Sequence, residues 1–270
     1  QPSVAALPLL GVAAGATEKI RLLSAVLLTP FYHPVVLAKL ATTLDVASGG
    51  RLTLGVGVGG EIPAEFEAAS INVRHRGSLT NDCLDVLRRL WTETHVSHEG
   101  RHFHLKDVTL KPAPCQTPHP PIWVAGRRDA AMRRAARYGD GWIPYFYSPK
   151  RYRDSVAKIT CLGEKSSRDM SRFQWAFFPY ISIYPTMEEA GEMAARTLGS
   201  QYRSGRDMRD IVRDYCVFGP VNRCVERLQQ YVDVGVRHII FSLSCSREDR
   251  TRHIETISEK IIPALRERVR

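Results

Sequence analysis

Two nearly continuous apolar runs, Ile20 to Thr29 (IRLLSAVLLT) and Arg51 to Val58 (RLTLGVGV), flank one stretch of helical spacing. A strand that is apolar along its whole length is buried on both faces, as in a parallel sheet covered by helices. Between the runs, Pro34 to Val46 sets Val35, Leu37, Ala38, Leu40, Ala41 and Leu44 at helical intervals, and Ser48-Gly49-Gly50 ends it. Strand, helix and strand in that order make a βαβ unit, and a chain built on it is α/β.

The alternation continues along the chain. Helices are expected over Thr80–Trp91, Asp129–Tyr138, Pro149–Thr160, Met187–Tyr202, Val221–Val234 and Arg250–Arg266. Strands are expected at Ile122–Ala125, from Gly141, at Phe173–Tyr184 and at His238–Ser244, with a hairpin over His98–Val108 around Glu99-Gly100. Ser3 to Thr17 reads as an apolar helix kinked at Pro8. That gives about six strands, where a closed parallel barrel has about eight. The pattern alone does not separate a barrel from a doubly wound sheet. The 270 residues suit a single domain, with polar loops at 162–172 and 204–209.

The net charge of +10 is spread along the chain, without a block of like charges, so a nucleic-acid arm is not expected. The basic balance fits a solvated, arginine-rich surface or an acidic cofactor or substrate. No apolar run approaches the roughly 18 residues of a membrane span. Gln1-Pro2-Ser3 does not open a signal peptide. The six cysteines include no C-x-x-C pair and no zinc spacing. They read as reduced thiols of a cytoplasmic protein, with no metal, and Cys83 and Cys224 fall on apolar helix faces.

Chemistry can sit at three places. The first is Thr29-Pro30-Phe31-Tyr32-His33-Pro34, after the first strand, since barrels gather function at strand C-termini. His33 reads equally as a helix-entry residue. The second is Gly55-Val56-Gly57-Val58-Gly59-Gly60-Glu61, where glycines allow close approach of a flat ligand. Its frame fits G-x-G-x-x-G, but Glu61-Ile62-Pro63 does not open a dinucleotide-binding helix. Glu61 and Glu65 are spaced to share a helical face, either as acid/base groups or as partners of the helix dipole. The third is Val124-Ala125-Gly126-Arg127-Arg128-Asp129, a strand–turn–helix suited to phosphate, or an ordinary turn capped by Asp129.

Taken together, these residues resemble the bacterial luciferase-like superfamily of flavin- and deazaflavin-dependent oxidoreductases. The likeness runs through Thr17-Glu18-Lys19-Ile20-Arg21-Leu22, His33-Pro34, Ser48-Gly49-Gly50-Arg51-Leu52, Leu54 to Gly59, Arg76-Gly77 and Lys111-Pro112. It continues in Pro120 to Gly126, Gly139-Asp140-Gly141-Trp142 and Gly235-Val236, so it covers nearly the whole chain.

The resemblance implies a (β/α)8 TIM barrel, lacking its first strands in this chain because a β/α/β segment precedes the family's matching region. It implies a cis peptide bond at Ala25–Val26 behind the cofactor ring, with Gly57, Val58 and Gly59 beside it. The cofactor phosphate would lie at Ala125, Gly126, Arg127 and Arg128. Gly57 and Val58 stand where the luciferase α-chain has a reactive cysteine and a phosphate-binding arginine, a departure from a luciferase site. Gly59-Gly60-Glu61 resembles the branch that uses coenzyme F420, with Glu61 as proton donor or polariser. That coenzyme carries a phosphate and a polyglutamate tail, which the basic balance would favour.

The expected function is hydride transfer between F420 and an organic small-molecule substrate, in a homodimer. The alternatives are an FMN-dependent monooxygenase served by a partner flavin reductase, and a non-catalytic flavin-binding relative. Neither nucleic acid nor membrane is an expected partner. Tyr145, Phe146 and Tyr147 would line the substrate pocket or pack in the core.

Overall fold

The computed structural model describes residues 4–202 and 205–267. They form two compact units: one holds the chain up to Trp142 together with Leu162–Phe173, the other Ile143–Cys161 and the chain from Gln174 onward.

The first unit opens on α1 (Ala6–Ala16). Pro8 lies in its first turn, where backbone N–H groups have no helical partner, so the proline costs no helical bond. The apolar run after it is two short strands, not one. These are β1 (Leu22–Leu23) and β2 (Leu27–Leu28), on either side of a cis bond between Ala25 and Val26. Ile20, expected inside the sheet, is 64% exposed.

α2 (Pro34–Ala47) starts on a proline, which is pre-set for the first helical position. It stops where Gly49 and Gly50 turn to φ 64° and 79° and donate to the carbonyls of Val46 and Asp45. β3 (Leu52–Gly57) is buried throughout. Both β1 and β2 pair with it in parallel, Leu22 opposite Leu52 and Leu28 opposite Gly57.

α3 (Pro63–Ala68), α4 (Arg76–Thr92) and an antiparallel hairpin of β4 (Val96–Glu99) and β5 (His104–Val108) follow. Asp82 of α4 fastens the hairpin: it accepts from the backbone N–H groups of His102 and Phe103 and lies 2.7 Å from His98 Nε2. β6 (Ile122–Ala125) pairs in parallel with β3, and α5 (Asp129–Tyr138) follows it. Leu37, Ala38, Leu52, Leu54, Val56 and Leu87 are fully buried here. Each large apolar side chain of this kind contributes about 1.5–3 kcal/mol.

The chain passes between the units within β7 (Gly141–Ile143), within α6 (Pro149–Glu164) and again between Phe173 and Gln174. In the second unit β8 (Gln174–Phe177) and β9 (Tyr180–Ile183) are separated at Phe178-Pro179, since proline cannot donate to a ladder. α7 (Met187–Gly199) begins with a Thr186–Glu189 cap, the Glu189 N–H donating to the Thr186 hydroxyl. It ends before Tyr202, short of the expected bound.

α8 (Met208–Tyr215) and β10 (Val217–Gly219) come next; of the polar loop expected there, Ser204 lies outside the described residues. α9 (Val221–Asp233), β11 (His238–Ile239), β12 (Ser242–Leu243), α10 (Arg250–Thr256), a wider turn at Ile257–Ile261 and α11 (Ile262–Glu267) complete the unit. β11 lies parallel to β8, while β10 and β12 flank β9. Ile181, Ile183, Val217, Leu228, Ile257 and Ile261 form one core cluster.

Leu162–Arg172, expected as a polar loop, continues α6 as far as Glu164. Beyond that Arg168 ties it down, donating to the carbonyls of Ala136 at 2.7 Å and Gly139 at 2.8 Å. All six thiols are free; Cys83, Cys216, Cys224 and Cys245 are buried, Cys115 and Cys161 exposed. Burial pushes Cys83, Cys216 and Cys224 up to about 12. Among the described residues no helix is long and apolar enough to cross a membrane.

Candidate active site

The register of the first unit sets the ends of three strands side by side. Leu28 of β2 faces Gly57, and Val56 of β3 faces Val124 of β6. Ala25 and Val26, between β1 and β2, thereby lie beside β3, and Gly57 to Gly59 and Ala125 to Gly126 run off the ends of the adjacent strands β3 and β6. Val26 packs directly on Gly57, where a Cβ would stand 2.8 Å from its Cγ2. The sequence-expected cofactor residues are thus brought together, apart from their loops.

Those loops are shaped by close contacts. Gly60 has φ 103°, and a Cβ on it would stand 2.7 Å from Arg76 Nε. Arg76 donates from Nη1 to the Val73 carbonyl, while its buried Nε has no acceptor. A buried donor without a partner costs about 1–3 kcal/mol and marks a place for an acceptor oxygen. Beneath the loop the buried Thr29 hydroxyl reaches the Gly57 carbonyl at 3.0 Å and Thr80 Oγ1 at 2.9 Å. Thr80 in turn donates to the Arg76 carbonyl at 2.8 Å. This chain of contacts fixes the end of β3 against the first turns of α4.

The third place is a tight turn into α5. Gly126 has φ 135°, and a Cβ there would lie 2.5 Å from the Ala131 Cβ. Its carbonyl accepts from Trp142 Nε1 at 2.9 Å. Arg128, not Asp129, occupies the cap position, with no side-chain cap; Asp129 is the first helical residue. Arg127 is half-buried and Arg128 exposed. A helix N-terminus with two arginines in its leading turn favours an anion.

Other expectations change. Glu61 precedes α3, which begins at Pro63, so Glu61 and Glu65 do not share a helical face. Glu61 is exposed in the connecting bend, and Glu65 lies in the first turn, where it complements the dipole. His33 is an exposed helix-entry residue whose ring meets Phe103 edge-on at 5.3 Å. In the second unit Phe146 stacks on Tyr180 at 4.7 Å, and the fully buried Tyr147 pairs its hydroxyl with Ser155. Both pack as core. Sequence reasoning missed Ser24 and the Thr29–Thr80–Arg76 chain. The signal present was a hydroxyl inside or just after an apolar run, which must find a partner when buried.

The family model described as "Luciferase-like monooxygenase" matches residues 2–238. The chain belongs to that family. Among its relatives in the luciferase-like family, an F420-dependent glucose-6-phosphate dehydrogenase of Beutenbergia cavernae is 29% identical over 288 residues, covering 98% of this chain and 84% of the relative. An FMNH(2)-dependent dimethylsulfone monooxygenase of Pseudomonas putida is 29% identical over 186 residues, covering 68% of this chain and 50% of the relative. The crystallised F420-dependent secondary alcohol dehydrogenase, in complex with an F420-acetone adduct, superposes with a TM-score of 0.83 at 20% identity, over 97% of this chain and 84% of that one. That likeness carries the fold, the luciferase-like α/β barrel type expected from the resemblance. Flavin- or deazaflavin-dependent oxidoreduction is the chemistry of this luciferase-like family.

Proposed function

We propose that this chain moves a hydride between the deazaflavin coenzyme F420 and a small organic substrate. The observation that carries the reading is the extent of the match. An F420-dependent dehydrogenase is matched over 98% of this chain, an FMN-dependent monooxygenase over 68%.

The residues present fit such a coenzyme. A Cβ would fill the space at Gly57 and Gly60, a buried Arg76 Nε lacks an acceptor beside Gly60, and the turn at Gly126 leads into a helix N-terminus. Ala25, Val26, Gly57, Val58 and Gly59 would hold the ring. Ala125, Gly126, Arg127 and Arg128 would hold the phosphate. When bound, the deazaflavin supplies two-electron hydride chemistry. The chain's own part is to orient the ring on the strand ends and to neutralise its anionic arm. Glu61 moves or holds the proton at its carboxyl oxygen, since it follows the glycine run directly. The substrate is set by loops, which vary freely on such folds.

A second reading, FMN-dependent oxygenation with a partner reductase, draws support from the family description and the dimethylsulfone monooxygenase. A third is a non-catalytic flavin binder. We also propose a cytoplasmic homodimer. Its support is the apolar surface on α1 and α2, where Leu9, Val12, Val36 and Leu40 are 55%, 70%, 53% and 43% exposed.

Fluorescence titration with F420 and with FMN tests the choice. Saturable F420 binding and hydride exchange, lost or slowed about a hundredfold in Glu61→Gln, are expected. Tight FMN binding without F420 binding overturns the first reading in favour of the second. Binding of either without turnover under any reductant favours the third.

A further inference from the structure

One stripe of α5 is basic and starts beside the phosphate turn. Ala130, Arg133, Arg134 and Arg137 follow the i, i+3, i+4, i+7 spacing of a single helix face. They line a cavity of about 400 Å³ whose other walls include Asn81, Tyr138 and Ser166. Along the helix the stripe covers roughly 10 Å, at 1.5 Å per residue.

Arg134 is the anomaly. It is only 6% exposed, yet it meets no carboxylate. Nε donates to Asn81 Oδ1 at 2.7 Å and Nη2 to the Gly77 carbonyl at 3.0 Å, which leaves the Nη1 edge without an acceptor. Buried charges are ordinarily paired, and this cation is held by neutral partners alone. Burial pushes its pKa down to about 10. Among the described residues no acid pairs with Arg133 or Arg137 either, and both are exposed at the rim. The recess is a cluster of three guanidinia without counter-ions.

We propose that this recess binds a chain of carboxylates, and that its occupant is the oligoglutamate tail that F420 carries beyond its phosphate. This rests on the proposed function for the identity of the ligand. Three observations support it. The recess begins at Ala130, one residue into the helix whose N-terminal turn is proposed above to hold the phosphate. Its cations are spaced along a line. Arginine presents planar paired donors suited to carboxylates. Arg134 forms the buried floor, and Arg133 and Arg137 are the rim groups that a tail would meet.

The test compares F420 bearing its glutamates with the same coenzyme carrying the phosphate but no glutamates. Both are titrated by fluorescence into wild type and the Arg133→Gln/Arg137→Gln double variant, with circular dichroism and thermal unfolding as fold checks. Rim arginines are exposed, so the variant should fold normally. Wild type should bind the glutamylated form about tenfold or more tightly than the tail-less form, the scale of one charge-assisted contact. The double variant should lose that preference and keep its affinity for the tail-less form. Equal binding of both forms by wild type overturns the recess assignment and leaves the proposed function standing. A preference unchanged in the variant also overturns it. Failure of both forms to bind overturns the proposed function and the tail assignment together.

Discussion

Ser24 and Gly55 exchange two hydrogen bonds: the Ser24 hydroxyl accepts from the Gly55 N–H at 3.0 Å and donates to the Gly55 carbonyl at 2.9 Å. A Cβ on Gly55 would stand 1.9 Å from the Ser24 carbonyl oxygen. The pair locks the segment before the cis bond onto the middle of β3. Ser24→Ala should leave two buried backbone groups short of a partner and cost about 1–3 kcal/mol, read as a lower urea midpoint. Gly55→Ala should cost more, because the Ser24 carbonyl it would strike is backbone, and it should abolish cofactor binding. A Ser24→Ala midpoint equal to wild type would remove the pair from the account.

The turn into α5 predicts a ligand-dependent effect. Arg127→Ala and Arg128→Ala should each weaken binding of phosphate-bearing cofactor by about tenfold. Affinity for the same ring system without phosphate should stay put. An equal loss for both ligands would place these arginines in the fold rather than at the phosphate.

His253 predicts a pH dependence. The Ile183 N–H donates to its Nε2 at 2.9 Å, so the proton sits on Nδ1 and is directed at the Asp249 carbonyl, also at 2.9 Å. Burial lowers its pKa against the opposing pull of the Asp249 hydrogen bond. The unfolded chain therefore takes the proton more readily. The stability this neutral ring contributes is full above about pH 6.5, the ordinary histidine value, and is lost as pH falls toward the lowered folded value. Thermal unfolding should shift downward between about pH 7 and 5.5, and His253→Gln should flatten that slope. A slope identical in the variant would assign the effect to other groups.

The exposed faces of α1 and α2 make the proposed homodimer testable. Val12→Asp and Leu40→Asp should convert a dimer into a folded monomer in light scattering, with unchanged secondary structure by circular dichroism. A dimer that survives both substitutions would place the interface elsewhere.

Element order was readable from the sequence because apolar period survives local detail. α2, β3, β6 and α5 fall within a residue or two of expectation. The breaks were not readable. Ile20 to Thr29 has the composition of one strand, and nothing in it announces the interruption at Ala25–Val26; only the resemblance pointed there. α8 escaped because its polar flanks hide a short amphipathic face. At the candidate site, the glycines and arginines could be singled out because their chemistry is written in residue type, and their part in holding a cofactor is a proposal. The Thr29–Thr80–Arg76 chain was not, since its members are 51 residues apart and closer only once folded.

The four buried thiols carry a practical consequence. With Cys83, Cys216 and Cys224 held protonated far above neutral pH, only Cys115 and Cys161 present themselves to solvent. Reaction requires the thiolate. The native chain is therefore its own folding clock: an alkylating reagent should take up two equivalents promptly, and each later equivalent should appear at the pace at which the interior opens.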